Sequence, residues 1–240
     1  EYQPGWMLLS YGKKVSVSSS LEGYPAENIV DEDARTAWVA QSNRDMEWAQ
    51  VDLQRLSSIH AIQVNFDEYG ANQKGAVSGV YQSYLIYASV NGEDWSLVVD
   101  YGTKKTDTPH DYIEFEEPFK ARYIKLQNKE YMVSENFSVR DLRIFGKGQG
   151  STPRAVNDFT VERDEADPCK ARLCWEAVPD AQGYIVRYGI AGDKLYNNFQ
   201  VMGENTLEIG SLNKGVAYYF TIDAYNENGI TRTSRIKVCR

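Results

Sequence analysis

The sequence has 240 residues, a length that suits one large all-β domain or two ordinary domains with separate cores. It carries 26 Lys and Arg against 34 Asp and Glu, a formal net charge of −8, and no basic run interleaved with aromatic residues, which excludes nucleic acid as the expected partner. No run of about eighteen apolar residues occurs, so we expect no membrane insertion.

Short alternations of apolar and polar residues recur along the chain and are bounded by Gly, Asn, Asp and Pro. Such alternation places every second side chain on the same face of a strand. The clearest examples are residues 62–66, 113–116 and 218–225, and no comparable stretch has the 3.6-residue period of a helix. The sequence therefore predicts an all-β chain built from β-sandwiches.

One long polar segment, residues 67–83, separates two of these strand patterns. It contains several glycines together with Tyr69 and Tyr81. Long loops without secondary structure of their own are commonly functional, so we expect a surface loop that takes part in binding.

A second interruption, residues 146–153, has the sequence Gly-Lys-Gly-Gln-Gly-Ser-Thr-Pro and contains no apolar side chain beyond Pro. Glycines in a polar run favour an exposed linker between two cores. We therefore predict two domains, residues 1–148 and 153–240, and expect each of them to fold independently.

Five motifs of the first domain occur in a recognisable order. They are Pro25–Trp38, Glu47–Leu53, Tyr87–Trp95, Ala121–Leu126 and Arg140–Gly146. Together they resemble the coagulation factor 5/8 type C, or discoidin, family, which includes the family 32 carbohydrate-binding modules. The resemblance covers roughly Ser10 to Gly146. It implies a galactose-binding-like jelly-roll sandwich of about eight strands and a non-catalytic, carbohydrate-binding role.

The first residues of the chain resemble part of a larger protein. The sequence starts at Glu1 without an initiating Met or a leader segment, as the interior of a longer chain would. The segment Pro4–Tyr11 is similar to a junction in family 43-like glycoside hydrolases of Bacteroidetes. This similarity implies an upstream catalytic domain of the same chain and a secreted, periplasmic or outer-membrane location on a bacterium.

The second domain resembles a fibronectin type III domain over residues 153–240. Trp175 stands where such domains have a buried core tryptophan, and Tyr218 stands at the tyrosine of the corner motif. Lys214 occupies a position where that corner often carries Pro. The resemblance implies an immunoglobulin-like β-sandwich that acts as a spacer, and we assign it no ligand.

The sequence lacks the usual patterns of a hydrolytic site. It has only two His, His60 and His110, and neither a Gly-x-Ser-x-Gly nor a His-Glu-x-x-His motif occurs. The carboxylate pair Glu116-Glu117 lies on a predicted strand, where adjacent side chains point to opposite faces. The three Cys do not form a disulfide framework or a metal motif. We therefore expect a fragment that is not an enzyme, and a monomer.

A group of oxygen donors between residues 28 and 36 suits a calcium ion. Asp31, Asp33 and Thr36 crowd one turn, and Ca²⁺ takes several oxygen ligands at about 2.3–2.6 Å. The family resemblance adds backbone carbonyls near Asn28 and an acidic residue on the last strand, here Asp141. The sequence predicts a structural Ca²⁺ site, and the alternative is an Asp-rich capped turn without a metal.

Aromatic residues make up 12% of the sequence, with 17 Tyr, and sugars stack on rings while they bond through hydroxyl groups. In the resembling modules the sugar lies among loops at one end of the sandwich. The residues at those positions are Tyr24, Arg44, Tyr69, Asn72, Tyr81, Tyr131, Asn136 and Phe137. Tyr131, Asn136 and Phe137 are the strongest candidates, because they share the loop before the last strand. The alternative is that Phe137 anchors this loop in the core.

Two other functions are compatible with this sequence. One is a cell-adhesion, lipid-binding or protein-interaction module, and the other is a purely structural appendage. Lipid-binding relatives display exposed apolar spikes, whereas residues 67–83 mix Tyr and Val with glycines. We therefore expect a glycan or polysaccharide as the partner of the first domain.

Overall fold

The computed structural model describes residues 5–71 and 79–240 of the protein. The chain divides into two compact units, Glu1–Gln149 (unit 1) and Gly150–Arg240 (unit 2). Strands make up 51% of the structure and helix 3%, which confirms the predicted all-β class. Within the described ranges, no helix is long and apolar enough to span a membrane.

The described part of unit 1 contains eight strands and one short 3₁₀ helix, Ala26–Val30. The strands are β1 (Met7–Leu8), β2 (Lys14–Val17), β3 (Trp38–Val39), β4 (Trp48–Phe66), β5 (Gln82–Ser89), β6 (Ser96–Tyr101), β7 (His110–Tyr131) and β8 (Ser138–Lys147). They form an antiparallel sheet in the order β1-β8-β4-β7-β5-β6, with β2 paired to β4 and β3 paired to β8.

The long strands β4 and β7 give this sheet its curvature. They span 19 and 22 residues, and their pairing shifts register between Asp52 and Ser57 and again between Ile59 and Ala61. Register shifts of this kind bend a strand and increase its twist. We therefore expect β4 and β7 to bend at these shifts, within the discoidin-like jelly roll of unit 1.

The core of unit 1 is built from alternate residues of its strands. The alternation predicted in β4 is confirmed, since Ile62, Val64 and Phe66 are buried and Gln63 and Asn65 are only half-buried. Burial of each such apolar side chain contributes about 1.5–3 kcal/mol relative to exposure. Other members of this core are Trp38, Ile59, Tyr84, Ile86, Ile124, Leu126, Leu142 and Ile144.

The start of the predicted linker belongs to unit 1. Gly146 and Lys147 are the last residues of β8, and Gly146 is buried against β4. A Cβ at Gly146 would lie 2.0 Å from the carbonyl oxygen of Ser58, so close contact between β4 and β8 requires glycine here. The predicted linker, residues 146–153, therefore starts too early. Gly146 is needed for the close approach of β8 to β4 and is not part of a flexible segment.

Unit 2 contains two antiparallel sheets. Its strands are β9 (Phe159–Arg163), β10 (Ala171–Trp175), β11 (Gly183–Gly189), β12 (Asn197–Met202), β13 (Thr206–Ile209), β14 (Tyr218–Asn226), β15 (Gly229–Thr231) and β16 (Lys237–Cys239). One sheet has the order β13-β10-β9, and the other has the order β12-β11-β14-β15 with β16 paired to β14. Trp175, Tyr184, Val186, Phe220 and Ile222 lie in the core. The cysteines are free; Cys239 is buried, and Cys169 and Cys174 are half-buried.

Candidate functional site

The candidate glycan site lies at one end of unit 1, where four loops approach each other. These are residues 18–25, residues 40–47 between β3 and β4, the loop that starts at residue 67 after β4, and residues 132–137 between β7 and β8. We call this region the loop end. The candidate residues predicted from the sequence lie in these loops or at their borders, except Asn72, which lies outside the described residues.

Backbone and amide hydrogen bonds hold two of these loops together. The Asn43 side-chain amide donates to the carbonyl oxygens of Tyr131, at 3.3 Å, and Ser134, at 2.8 Å. The backbone N–H of Phe137 donates to the carbonyl oxygen of Ser42 at 2.9 Å. These hydrogen bonds occupy backbone carbonyl oxygens in and beside the loops, and they hold the loop backbone in place. Residues 40–47 and 132–137 of the loop end are therefore preorganised.

Tyr131 does not have the stacking role expected from the sequence. Its side chain is 2% exposed, and its hydroxyl donates to the backbone carbonyl of Asp67 and lies 3.2 Å from the hydroxyl of Ser138. Burial raises the pKa of the Tyr131 phenol. The Tyr131 hydroxyl joins Asp67, at the start of the β4–β5 loop, to Ser138 in β8. Tyr131 therefore has a structural role at the loop end, and its buried ring is not available to a sugar.

Phe137 is also buried, with 1% of its surface exposed. Its ring packs edge to face against Trp38, at a centroid distance of 5.8 Å, and against Tyr131, at 5.3 Å. Aromatic pairs in this arrangement contribute about 0.5–1.5 kcal/mol beyond their area burial. Phe137 therefore anchors the β7–β8 loop in the core, the alternative considered for it, and its ring is not available to a sugar.

Asn136 is half-buried and lies beside this anchor. Its side-chain amide donates to the carbonyl oxygen of Ala40 at 2.8 Å, while its backbone N–H donates to the hydroxyl of Ser134 at 3.2 Å. One amide hydrogen is thus used to join two loops. The amide group keeps further hydrogen-bonding capacity, so Asn136 fits a secondary role at the loop end.

Tyr24 and Tyr69 form an aromatic pair at the loop end. Their ring centroids lie 4.9 Å apart with an interplanar angle of 70°, and both side chains are half-buried. The backbone N–H of Tyr24 donates to Leu21, and its carbonyl accepts from the hydroxyl of Ser20 at 2.8 Å. A tight turn therefore fixes Tyr24, and residues 45 positions apart in the sequence supply one joint ring surface.

Arg44 and Tyr81 have different surroundings. The Arg44 side chain is exposed, and within the described ranges no carboxylate pairs with it. Tyr81 instead lies next to Lys105, whose ammonium is 5.2 Å from the ring centroid, and its hydroxyl bonds to Glu130, which raises the Tyr81 pKa. Arg44 is therefore open to a ligand, whereas Tyr81 already belongs to a charged cluster.

An ion pair that sequence reasoning missed stabilises the β4–β5 loop. The guanidinium of Arg140 lies 2.5 Å from the carboxylate of Asp67, and the side chains are 34% and 16% exposed. The carbonyl of Asp67 also accepts from the hydroxyls of Tyr131 and Ser138. The sequence does not predict this pair, because Asp67 and Arg140 are far apart along the chain. The one available signal was the position of Asp67 directly after the strand pattern of residues 62–66.

The expected calcium turn is held by its own side chains. The Asp31 carboxylate accepts from the Thr36 hydroxyl at 2.7 Å and from the Asp33 backbone N–H at 2.8 Å. The Thr36 hydroxyl also lies 2.9 Å from the Asp33 carbonyl oxygen. The Asp33 carboxylate is instead bonded by Arg35, which lowers the pKa of Asp33 to about 2. Asp31, Thr36 and the Asp33 carbonyl thus gather oxygens suited to a hard cation.

Two other residues were predicted at the calcium site, Asp141 through its carboxylate and Asn28 through nearby backbone carbonyls, and the side chains of both are bonded elsewhere. The Asn28 amide donates to the carbonyl of Ala37 at 2.8 Å, and the Asp141 carboxylate accepts from Asn65 at 2.8 Å. Within the described residues, no group of three or more His, Cys, Asp and Glu side chains has the geometry of a metal site. A cation at this turn would therefore depend on hydroxyl and backbone oxygens as well as Asp31.

Sequence comparison relates the first unit to proteins of known type. The family model described as F5/8 type C domain matches residues 14–141. Rat lactadherin is 33% identical over 110 residues, which cover 43% of this chain and 25% of that protein. Mouse lactadherin is 32% identical over 110 residues, covering 43% and 23%. The chain thus spans about a quarter of the length of these relatives.

Solved structures similar to unit 1 include several carbohydrate-binding modules. A mutant of chitosan-binding module 1 from a Paenibacillus sp. IK-5 chitosanase/glucanase has a TM-score of 0.50 and 19% identity, covering 59% of this chain and 99% of that chain. The Clostridium perfringens NanJ family 32 module, solved with galactose, has a TM-score of 0.47 and 17% identity, covering 58% and 98%. The first of these likenesses establishes a shared fold.

Proposed function

The chain belongs to the F5/8 type C domain family, and on this premise we propose that unit 1 is a carbohydrate-binding module. Domains of this family are typically non-catalytic and extracellular. The proposed site is the loop end, with Tyr24, Tyr69 and Arg44 as its principal residues. The observation that carries the proposal is the half-buried ring pair of Tyr24 and Tyr69 beside preorganised loops.

The chemistry of these side chains suits a sugar. A pyranose ring has an apolar C–H face that packs on an aromatic ring, and a rim of hydroxyls that bonds to charged and amide groups. The tyrosine pair offers the ring surface and two hydroxyls. Arg44 adds guanidinium donors that no carboxylate of the described chain occupies, and Asn136 adds a partly used amide.

The fold supports a glycan as the partner. The solved structure with a TM-score of 0.50 is a chitosan-binding module of a Paenibacillus sp. IK-5 chitosanase/glucanase, so a protein with this fold binds a polysaccharide. A shallow site with one ring surface binds at roughly millimolar to high micromolar Kd, about −4 to −6 kcal/mol. A module of this affinity gains its effect when it is tethered to a larger enzyme or surface.

The test is a binding screen on the 240-residue chain. A glycan array with chitosan-derived, galactose-containing and plant-cell-wall oligosaccharides identifies a ligand, and NMR titration up to millimolar sugar measures its Kd. The proposal expects saturable binding that shifts resonances of Tyr24 and Tyr69. Saturable binding to anionic vesicles without any glycan binding would instead support the lipid-binding alternative, and binding to neither would support a structural appendage.

We also propose that the turn around Asp31 binds a structural Ca²⁺ ion. The supporting observation is that the Asp31 carboxylate, the Thr36 hydroxyl and the Asp33 carbonyl lie together within hydrogen-bond distances of 2.7 and 2.9 Å. Ca²⁺ accepts mixed carboxylate, hydroxyl and carbonyl ligands. The ion would stabilise the entry to β3 and, through this strand, the position of Trp38.

For unit 2 we propose a fibronectin type III fold with a spacer role. The support is the pairing of three strands, β13-β10-β9, opposite a sheet with β12, β11 and β14, and the buried Trp175 on β10. The hydroxyl of Tyr218 also accepts from the backbone N–H of Asn213, five residues upstream, as in a tyrosine corner. Limited proteolysis near residues 147–153 should release two folded fragments if the units fold independently.

The larger context that we propose is a secreted bacterial glycoside hydrolase, with its catalytic domain upstream of unit 1. This proposal rests on the resemblance of the segment near Trp6 to junctions in such enzymes and on the enzyme context of the chitosan-binding module. The test is the sequence of the encoding gene. A continuous reading frame with a signal segment and a β-propeller before Glu1 would support it, and a frame without them would contradict it.

A further inference from the structure

A second surface of unit 1, separate from the loop end, combines a lysine with aromatic side chains. Lys125 lies on β7 between the buried residues Ile124 and Leu126, so its side chain points to the outer face of the sheet. Its Nζ atom is 3.9 Å from the ring centroid of Trp95 and 5.6 Å from that of Tyr87. A lysine ammonium is thus held between two aromatic rings on an outward face.

This ammonium has no counter-ion in the described chain. Lys129, on the same strand, lies 2.6 Å from the carboxylate of Asp45, and Lys105 lies 3.6 Å from that of Glu130, but no described carboxylate pairs with Lys125. Burial lowers the pKa of Lys125. The nearby Arg122 differs from Lys125, because it has a counter-ion: two guanidinium hydrogen bonds go to Asp52. Its guanidinium also lies 4.8 Å from the ring centroid of Tyr123.

The surroundings of the ammonium are aromatic and apolar. The ring of Tyr123 lies 6.5 Å from that of Trp95, and Leu97, which pairs with Tyr87 across β5 and β6, is 48% exposed. Tyr87, Trp95, Tyr123 and Lys125 are all half-buried, so each presents part of its surface to solvent. We call these four residues the Lys125 patch.

A partly desolvated cation is stabilised by an anion that enters beside it, since the charge–charge attraction is strong where water is partly excluded. Aromatic rings next to that cation favour an anion whose carrier has an apolar face of C–H groups, because such a face packs on an aromatic ring. A uronic acid combines these properties, because it joins a carboxylate to a pyranose ring. We propose that the Lys125 patch is a second binding site, which takes a uronic acid unit of an acidic saccharide.

In this arrangement the Lys125 ammonium donates to the uronate carboxylate, and the Trp95 and Tyr87 rings pack against the saccharide. The patch shares no residue with the loop end, whose rings come from Tyr24 and Tyr69. The two sites therefore have different ligand chemistry. The loop end suits hydroxyl-rich sugars, and the Lys125 patch requires a negative charge.

The experiment is an NMR titration of the 240-residue chain with trigalacturonate, and with the neutral galactotriose for comparison. The reporter is the ¹³C-labelled Lys125 ε-methylene, whose resonance we expect the Trp95 ring current to shift, because the Nζ atom lies 3.9 Å from the ring centroid. We expect a saturable shift with trigalacturonate that weakens as NaCl rises, since salt screens charge pairs. We expect no saturable shift of this resonance with galactotriose.

Variants assign the site. Lys125→Gln should lower trigalacturonate affinity about tenfold, because a charge-assisted hydrogen bond is lost. Lys125→Arg keeps the charge and should retain most of the affinity. Lys129→Gln is the matched control on the same strand and should leave the affinity unchanged, because the Lys129 charge is already paired with Asp45.

Other outcomes overturn the proposal. Trigalacturonate affinity that is equal in the parent and in a folded Lys125→Gln variant would exclude the patch, and so would no binding of trigalacturonate at all. Binding that is lost in a Tyr24→Ala, Tyr69→Ala double variant but kept in Lys125→Gln would assign acidic saccharides to the loop end. If a sulfated trisaccharide shifts the Lys125 resonance and trigalacturonate does not, uronic acids are excluded as the ligand class of the patch.

Discussion

The rings of Tyr24 and Tyr69 meet edge to face, with centroids 4.9 Å apart, although Tyr24 precedes β3 in the sequence and Tyr69 follows β4. Each ring limits the rotation of the other, so a ligand that stacks on one ring meets a surface already ordered. Preorganisation of this kind reduces the entropy lost on binding.

Removal of either ring should therefore weaken glycan binding. We expect Tyr24→Ala and Tyr69→Ala each to raise the Kd of a bound sugar about tenfold, which corresponds to about 1.4 kcal/mol. NMR titration of the full chain measures the change. Tyr196→Ala is the control, since Tyr196 is 78% exposed in unit 2 and should leave the Kd unchanged. Unaltered affinity in both folded loop-end variants would place the sugar elsewhere.

Tyr131 and Phe137 should affect stability before they affect binding. Phe137→Ala removes a buried ring and should lower the free energy of unfolding of unit 1 by about 3–5 kcal/mol. Tyr131→Phe removes one donor to the Asp67 carbonyl and should cost about 1 kcal/mol. Urea unfolding followed by near-ultraviolet circular dichroism measures both changes.

The exposed neighbour Met132 supplies the control for this pair. Met132 is 45% exposed, and Met132→Ala should change the free energy of unfolding by less than about 0.5 kcal/mol. A Phe137→Ala variant as stable as Met132→Ala would contradict the core position of Phe137.

His60 should make unit 1 less stable in mild acid. Its ring stacks on Trp6 at a centroid distance of 5.0 Å, and burial, with Lys147 and Lys120 nearby, lowers its pKa below the ordinary value of 6.5. Below pH 6.5 the unfolded chain therefore binds a proton that the folded chain takes up only at lower pH. The His60 contribution to stability is complete above pH 6.5 and declines as the pH falls.

NMR titration of the imidazole checks this sign directly. We expect a folded pKa for His60 below 6.5, and a rise toward 6.5 in Trp6→Ala, because loss of the indole exposes the imidazole. His60→Gln should reduce the loss of stability between pH 7 and pH 5. A measured His60 pKa at or above 6.5 would refute the prediction.

Calcium removal should destabilise unit 1 through the turn around Asp31. We expect a chelator to lower the unfolding temperature of the parent, and Asp31→Asn to abolish the difference between chelated and calcium-loaded protein. Asp33→Asn is the matched control, because the Asp33 carboxylate is bonded by Arg35 and should not be required for the ion. An unfolding temperature independent of chelator, with no metal in elemental analysis, would favour the metal-free capped turn.

Gly146 should not tolerate a side chain. A Cβ at this position would lie 2.0 Å from the Ser58 carbonyl oxygen, so Gly146→Ala must separate β4 from β8 and should lower the free energy of unfolding by at least about 1–3 kcal/mol. Gly210→Ala is the control, since a Cβ there meets nothing within 4 Å. Equal stabilities of the two variants, measured by urea unfolding, would show that the β4–β8 contact relaxes freely.

Much of the fold was predictable because it depends on local patterns. The period of two in Ile62, Val64 and Phe66 determines which face of β4 is apolar, and it does so without reference to the rest of the chain. The ordered motifs likewise pointed to the F5/8 type C family, which the match to residues 14–141 confirms. Sequence alone therefore determined the all-β class and the family of unit 1.

The tertiary structure decided which aromatic rings are available to a ligand. Tyr131 and Phe137 are aromatic residues at or near a loop, as a sugar-stacking site requires. They are nevertheless buried, because they contact Asp67 and Trp38, which are distant in the sequence. Lys125 is isolated from every described carboxylate for the same kind of reason, since only the folded sheet places it between Trp95 and Tyr87. Exposure and charge pairing depend on contacts that are remote in sequence, and local residue patterns do not contain that information.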